Sequence, residues 1–266
     1  MLTTDTLSEV LTSISAVMTS NRDYLVRLDQ VGGDGDLGVS MDDGFAAVAD
    51  YLGSREPKDL GQAFRQAARV LNEAAPSSLG TILSFGLMGM ARSLRGVTEA
   101  DLSRTTEALR AGTQTIMARA ECAPGEKTLL DALLPAVQAL EEAVGAVAPP
   151  RAAEDTEDTQ RAGEPLLREE HPWALAETVP VEVGEGQPRT ADPMTADLVT
   201  AALGRAARAA AAGSAATRQM RAVHGRAAYS ADRSVGALDG GAEVGRLIFE
   251  GILAWRTARS GRTGQE

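Results

Sequence analysis

Three aspartates in a short glycine-rich segment are the residues whose types and spacing could do the most specific chemistry. Asp29, Asp34 and Asp36 lie within residues 28–38, which read LDQVGGDGDLG. Glycine allows tight backbone turns, so short carboxylates from both sides of the turn can converge on one point. Converging carboxylates repel each other unless a hard cation such as Mg²⁺ binds them, and Mg²⁺ completes its octahedron with phosphate oxygens and water. The pattern fits either a magnesium site or an ordinary solvated turn, since Asp and Gly are common in turns.

The segments around this turn have the spacing of apolar residues that is typical of helices. No segment alternates polar and apolar residues as a strand does, and only 3% of the residues are aromatic, so the core depends on helix formers such as Ala and Leu. We therefore predict an all-α protein with eight helices. Their expected ranges are 6–28, 41–52, 60–75, 79–94, 99–120, 128–147, 194–223 and 242–259.

Residues 148–193, between predicted helices six and seven, have a different composition. They contain seven of the eleven prolines, eleven acidic residues and four arginines. Dense proline blocks long helices, and the net charge opposes collapse. We expect a flexible acidic insertion with short anchored pieces around 166–167 and 173–175. Disorder, a lid and a docking segment are alternative explanations for it. The remainder, 1–147 and 194–266, is expected to be the helical body of one domain spanning 1–266.

Composition excludes several classes of function. A formal charge of −11 opposes binding to nucleic acid or to an anionic membrane surface. The single cysteine, Cys122, excludes an intrachain disulfide and a multi-cysteine zinc site. The N-terminus lacks the pattern of a signal peptide, and no apolar stretch is long enough to span a bilayer. We therefore expect a cytoplasmic protein.

Three sequence blocks, in the same order, resemble the DhaL family, the nucleotide-binding subunits or domains of dihydroxyacetone kinases. The first is the aspartate segment, which continues to Met41. The second is PGEKTLLDALLPA at 124–136, and the third is GRAAYSADRSVG at 225–236 followed by DGGA at 239–242. Together the blocks span nearly the whole chain outside the insertion.

The resemblance implies an eight-helix antiparallel barrel or bundle that closes around ADP or ATP and two Mg²⁺ ions. Asp29, Asp34 and Asp36 match the family's metal ligands, which act in catalysis through the metal. Arg226 would clamp a phosphate, because a guanidinium presents paired donors. The other residues implied to bind the nucleotide are Leu37, Gly38, Val39, Ser40, Ser78, Leu79, Thr128, Leu129, Asp239, Gly240 and Gly241.

The resemblance also implies a kinase subunit that transfers a phosphoryl group to a short ketose or sugar and is inactive alone. A separate DhaK-like subunit would hold the acceptor, and a phosphotransferase-system protein is a candidate phosphoryl donor. The family usually has His at the position of Leu37 and Ser at that of Leu79. These departures slightly favour an alternative, a catalytically divergent nucleotide-binding subunit with a regulatory or scaffold role.

Two further residues are assigned no chemical role. Lys127 precedes the sixth predicted helix, and apart from the family block its position indicates a solvent-facing side chain. His224 is expected to be a helix-end histidine that bonds a backbone carbonyl.

Overall fold

A computed structural model describes residues 1–147 and 196–263, and within these residues it contains helices and loops but no β-strand. The all-α prediction is confirmed. The predicted insertion, with its proposed anchored pieces, lies outside the described residues. The helices of the described part are α1 (Thr4–Ser20), α2 (Arg22–Asp29), α3 (Leu37–Gly53), α4 (Leu60–Ala74), α5 (Ser78–Ser93), α6 (Leu102–Ala120), α7 (Leu130–Val147), α8 (Ala196–Ala216), α9 (Ala231–Ser234) and α10 (Gly240–Thr263).

Side-chain caps begin several of these helices. Asp59, Ser77 and Asp101 accept hydrogen bonds from the backbone N–H groups three residues onward at the starts of α4, α5 and α6. At α1 a capping box joins Thr3 and Thr6. These caps satisfy N–H groups that have no partner within the helix.

The first predicted helix is two helices, because the chain bends at Asn21. This residue leaves helical geometry, with φ −107° and ψ 7°, and its side-chain amide donates to the carbonyl of Val17. The bend lets α2 run as a separate eight-residue helix that ends on Asp29. A second difference lies beyond the aspartate turn, where α3 begins at Leu37, four residues before the predicted start.

The eight long helices pack in a closed cycle. In this cycle α1 contacts α3, each of α3 to α7 contacts the next long helix, α8 contacts α10, and α10 returns to α1. The last contact is close, since a Cβ on Gly251 of α10 would lie 2.7 Å from the Cα of Ile14. There the hydroxyl of Ser13 donates to the Gly251 carbonyl at 2.8 Å, across 238 residues of sequence. Gly251 thus allows α1 and α10 to close the cycle of eight long helices, which we call the ring.

The core is aliphatic and follows the cycle. One cluster of buried side chains includes Leu25, Met41, Leu71, Leu94 and Leu247, all with almost no exposure. A smaller, alanine-rich cluster joins α7, α8 and α10. No helix in the described part of the chain is long and apolar enough to cross a membrane.

Candidate functional site

Alternate connections of the ring meet around one cavity of about 730 Å³. The α2–α3, α4–α5, α6–α7 and α8–α10 connections all contribute lining residues. Because these are every second connection around the cycle, the cavity lies at one end of the ring. The site therefore depends on the register of all the long helices rather than on any single loop.

The carboxylates of Asp29, Asp34 and Asp36 lie together at this cavity. One oxygen from each lies within 4.8 Å of the others, the spacing of a group that could hold a metal ion. Asp29 ends α2, and its Oδ2 accepts a hydrogen bond from the backbone N–H of Gly35 at 2.8 Å. Three carboxylate oxygens are a donor set that suits a hard cation such as Mg²⁺.

Like charges shape the electrostatics of this carboxylate group. Partial burial raises the pKa of Asp36, and the negative charges of Asp34 and Asp29 raise it further. The opposing charge comes from Arg226, whose Nη1 lies 2.5 Å from Oδ2 of Asp34. A bound cation would relieve the same repulsion, so the residues present fit a metal ion.

The start of α5 faces the same cavity. Ser77 caps the helix through the N–H of Gly80 at 3.1 Å, and Ser78 and Leu79 line the cavity. A Cβ on Gly80 would lie 2.1 Å from the carbonyl oxygen of Ala75, so only glycine allows this tight entry. A helix N-terminus carries a partial positive charge and free N–H groups, which suit an anion such as phosphate.

The α6–α7 connection is organised by a buried acid. Asp131 accepts hydrogen bonds from the N–H groups of Gly125 at 2.6 Å and Thr128 at 2.7 Å. These bonds fix the turn that places Thr128 and Leu129 on the cavity wall. Lys127 also lines the cavity but is only 5% exposed. Its interpretation as a solvent-facing residue is therefore wrong.

The α8–α10 connection brings Asp239, Gly240 and Gly241 to the opposite wall. Asp239 caps α10 by accepting from the N–H of Ala242 at 2.7 Å. Burial raises the pKa of its carboxyl to about 6, although this hydrogen bond and the charge of Lys127 act in the other direction. A Cβ on Gly241 would lie 3.2 Å from the backbone nitrogen of Leu129, so glycine lets the two walls approach closely.

The structure brings most of the predicted site residues to the cavity, but not three on α3. Gly38 packs against α2, where a Cβ would lie 2.1 Å from the carbonyl oxygen of Arg22. Val39 is exposed, and Ser40 donates a hydrogen bond to the hydroxyl of Ser77 at 2.9 Å. None of the three lines the cavity. The predicted residues that do line it are Asp29, Asp34, Asp36, Leu37, Ser78, Leu79, Thr128, Leu129, Arg226, Asp239, Gly240 and Gly241.

Sequence reasoning missed a contact between two loops at the cavity. His224 lines the cavity, and its Nε2 lies 2.6 Å from a carboxylate oxygen of Glu126. Backbone and histidine hydrogen bonds lower the pKa of Glu126. The expected partner of His224 was a backbone carbonyl. The only sequence signal for the pair is that Glu126 lies within the second family block and His224 directly precedes the third.

The chain has relatives among known proteins. A family model described as DAK2 domain matches residues 31–165 and 187–254. Over 234 residues the chain is 25% identical to the ADP-binding subunit DhaL of a PEP-dependent dihydroxyacetone kinase from Listeria innocua, covering 88% of this chain and 87% of that one. The corresponding Escherichia coli subunit is 25% identical over 132 residues, or 50% of this chain and 63% of that subunit.

Solved structures share the fold. The native dihydroxyacetone kinase of C. freundii superimposes with a TM-score of 0.59 at 18% identity, over 94% of this chain and 34% of that enzyme. The same enzyme in complex with AMP-PNP and Mg²⁺ gives a TM-score of 0.57 at 17% identity, over 93% and 33% of the two chains. This chain thus spans about a third of that enzyme.

The closed cycle of helices is thus a fold that the dihydroxyacetone kinase of C. freundii also contains. The chain belongs to the DAK2 domain family, and within it to the DhaL proteins.

Proposed function

We propose that this chain is the ADP- and ATP-binding, Mg²⁺-binding subunit of a kinase for dihydroxyacetone or a related short ketose. The observation that carries the proposal is the group of three carboxylates at a cavity that also receives Arg226 and the start of α5. Oxygen ligands for a cation and donors for phosphate oxygens meet in one place. The curated relatives named above are ADP-binding subunits, which supports the same conclusion.

Each part of the cavity has a task in this proposal. Asp29, Asp34 and Asp36 would hold one or two Mg²⁺ ions, which neutralise charge on the phosphates and on the group in transfer. Arg226 would exchange its contact with Asp34 for a phosphate oxygen once a cation takes over the carboxylates. The N–H groups at the start of α5 would donate hydrogen bonds to a further phosphate oxygen.

The remaining walls would enclose the nucleoside. Thr128 and Leu129 line one side, and the Asp239–Gly240–Gly241 turn lines the other. A Cβ on Gly240 would lie 2.6 Å from Cδ2 of Leu37, so this part of the wall is close-packed and apolar. An apolar wall of this kind suits a planar base better than it suits a sugar hydroxyl.

We further propose that a separate DhaK-like subunit brings the acceptor to the cavity mouth. The support is the exposure of large apolar side chains beside the lining loops. Tyr229 is 94% exposed and Val31 is 70% exposed. Their loops meet at the cavity, where a Cβ on Gly32 would contact that of Ala227 at 3.8 Å. Exposed apolar groups around a site are typical of a surface that another protein covers. The phosphoryl donor would be ATP or a phosphotransferase-system protein acting on bound ADP.

Calorimetric titration with ADP, with Mg²⁺ and with a chelator, tests the central proposal. We expect binding that requires Mg²⁺ and is lost in Asp34→Asn, which keeps the shape of the side chain but removes a ligand charge. Asp43→Asn on the exposed face of α3 is the matched control and should bind as the wild type does. Equal ADP affinity in Asp34→Asn and wild type would overturn the metal assignment.

A transfer assay separates the kinase from the regulatory alternative. The replacement of the family's His and Ser by Leu37 and Leu79, which both line the cavity, is the observation that favours a divergent subunit. Phosphorylation of dihydroxyacetone on addition of a DhaK-type subunit supports the kinase. Tight Mg²⁺-dependent ADP binding without any transfer supports the regulatory or scaffold role.

A further inference from the structure

Lys127 is one of only two lysines in the chain, and its side chain is buried. The Nζ atom donates to the carbonyl oxygens of Thr217 at 2.6 Å and Ala237 at 2.7 Å. The backbone at Lys127 has φ +63°, a left-handed conformation that is costly for a residue with a side chain. The surrounding structure must hold a buried cation on a strained backbone in place. Such an arrangement indicates that Lys127 has a specific role.

The two carbonyls stand at opposite ends of one segment. Residues 217–239 run from the end of α8 to the start of α10 and carry Arg226; we call this segment the arginine loop. Its ends also meet directly. The N–H of Gly236 donates to the carbonyl of Arg218 at 2.7 Å, and the N–H of Asp239 donates to the hydroxyl of Thr217 at 3.0 Å. Lys127 therefore joins both sides of the loop at its base.

The backbone turn that carries Lys127 is itself held in place. Asp131 holds the turn around Lys127 through the N–H groups on either side of it, at Gly125 and Thr128. The base of the arginine loop is thus bonded to the connection that forms the opposite wall of the cavity. Any movement of the loop base must break hydrogen bonds from a buried cation, and such bonds are stronger than neutral ones.

An ammonium suits this position for chemical reasons. It is compact and carries three N–H donors, so one nitrogen can donate hydrogen bonds to two carbonyls at different angles. Burial lowers the pKa of Lys127, while the nearby carboxylate of Asp239 raises it. The acid that caps α10 therefore also favours the charged form of the lysine that holds the loop before it.

We propose that Lys127 is a positioning residue that clips the base of the arginine loop and thereby sets the place of Arg226 above the carboxylates. The proposal deepens the proposed function and rests on it only for the consequence in nucleotide binding. The effect on the loop does not depend on any ligand.

Hydrogen–deuterium exchange of the full chain without nucleotide tests the clip directly. Lys127→Met keeps a long apolar stem but removes both charged hydrogen bonds, and Lys58→Met changes the other, exposed lysine as the matched control. In Lys127→Met we expect amides of residues 218–237 to exchange about tenfold faster or more, with α3 to α5 unchanged. Unchanged exchange in the loop, or an equal increase throughout the chain, would overturn the proposal.

Titration with Mg²⁺ and ADP tests the consequence for the site. We expect the affinity of Lys127→Met for Mg²⁺–ADP to fall about tenfold or more, while Lys58→Met binds as the wild type does. A loosened loop with unchanged ADP affinity would overturn the link to Arg226. If the wild type binds no ADP, the proposed function fails, and the exchange experiment still decides whether the clip exists.

A measurement on the wild type covers the case in which Lys127→Met does not fold. Brief acylation with an amine-selective reagent, followed by peptide mass spectrometry, compares the two lysines in one molecule. We expect Lys58 to react at least about a hundredfold faster than Lys127, because the latter is buried and its N–H groups are engaged. Similar rates at both lysines would contradict the clip.

Discussion

Asp29 is placed by backbone groups of the turn that follows it. Its Oδ2 accepts from Gly35, while its Oδ1 lies where a side chain on Gly33 would have to go: a Cβ there would be 2.2 Å away. Glycine at position 33 is therefore required by the carboxylate itself. The neighbouring Gly32 is under no such constraint, since its Cβ would meet only the Cβ of Ala227 at 3.8 Å.

We accordingly predict opposite outcomes for two adjacent substitutions. Gly33→Ala should displace the Asp29 carboxylate and weaken Mg²⁺-dependent ADP binding about tenfold or more, because misplacing a ligand by an ångström is costly. Gly32→Ala should change the affinity by less than about twofold. Calorimetry on both variants measures the difference. Equal affinities would show that the Asp29 carboxylate is free to move.

Asp239 gives a prediction about pH. Its pKa in the folded protein, about 6, is above that of an unfolded chain, so between these values the folded state keeps a proton that the unfolded state has lost. This residue therefore makes stability fall as pH rises through that window. Asp239→Asn keeps the cap of α10 but has no charge to bury. As the pH rises from about 4 to about 7, the free energy of unfolding of Asp239→Asn should increase by about 3 kcal/mol relative to that of the wild type.

Urea unfolding of both proteins at several pH values measures this effect on the free energy of unfolding. The informative quantity is the difference between the two stability curves, since groups that do not interact with Asp239 titrate equally in both proteins. Parallel curves across the window would mean that the Asp239 carboxyl has an ordinary pKa.

Among the helices, α5 and α6 approach each other through small residues. A Cβ on Gly89 would lie 2.5 Å from Oγ1 of Thr115 and 2.6 Å from the carbonyl oxygen of Ala111. The backbone of α6 cannot yield at such a contact. Gly145 on α7 offers a matched comparison, because a Cβ there would meet no atom within 4 Å.

We predict that Gly89→Ala lowers the free energy of unfolding by about 1–3 kcal/mol, the cost of overpacking. Gly145→Ala should instead raise it by about 0.5–1 kcal/mol, because alanine loses less conformational freedom in a helix. Thermal and denaturant unfolding of the two variants measure both changes. A stabilising Gly89→Ala would show that α5 and α6 are farther apart than described.

A buried glutamate links α2 to α8 and α10. Glu243 on α10 is 4% exposed and accepts from Tyr24 of α2 at 3.2 Å and from Ser214 of α8 at 2.7 Å. Arg246 supplies the opposite charge at 2.7 Å. Because Asp29 is the last residue of α2, this network helps to hold the helix that carries a carboxylate of the site.

At the scale of the whole molecule, the eight long helices and the aspartate turn could be predicted from the sequence. Apolar spacing identifies helices such as α7, whose Leu130, Val137 and Leu140 are buried as their periodicity requires. Glycines on both sides of Asp34 indicate a turn because they have no Cβ. In the structure a Cβ at Gly33 or Gly35 would indeed meet neighbouring atoms. The bend at Asn21 was not predictable in this way, because both halves continue the same periodicity.

The residues missed in the site have a common physical reason. Lys127 bonds backbone carbonyls 90 and 110 positions away, and His224 bonds a carboxylate 98 positions away. Backbone acceptors have no residue type to recognise, and lysine is rarely buried in proteins. Gly38, Val39 and Ser40 lie off the cavity for a different reason: α3 begins at Leu37, so successive residues after it turn away from the cavity.

The closed cycle of helices also decides when the cavity can exist during folding. The contact that joins α1 to α10 spans 238 residues, and its entropic cost must be met before the contact can stabilise anything. Asp29 and Asp239 belong to opposite ends of the sequence, so we expect their walls to come together when such long-range contacts form. We therefore expect the cavity to form late in folding, and a ligand that fills it to slow the opening of the ring.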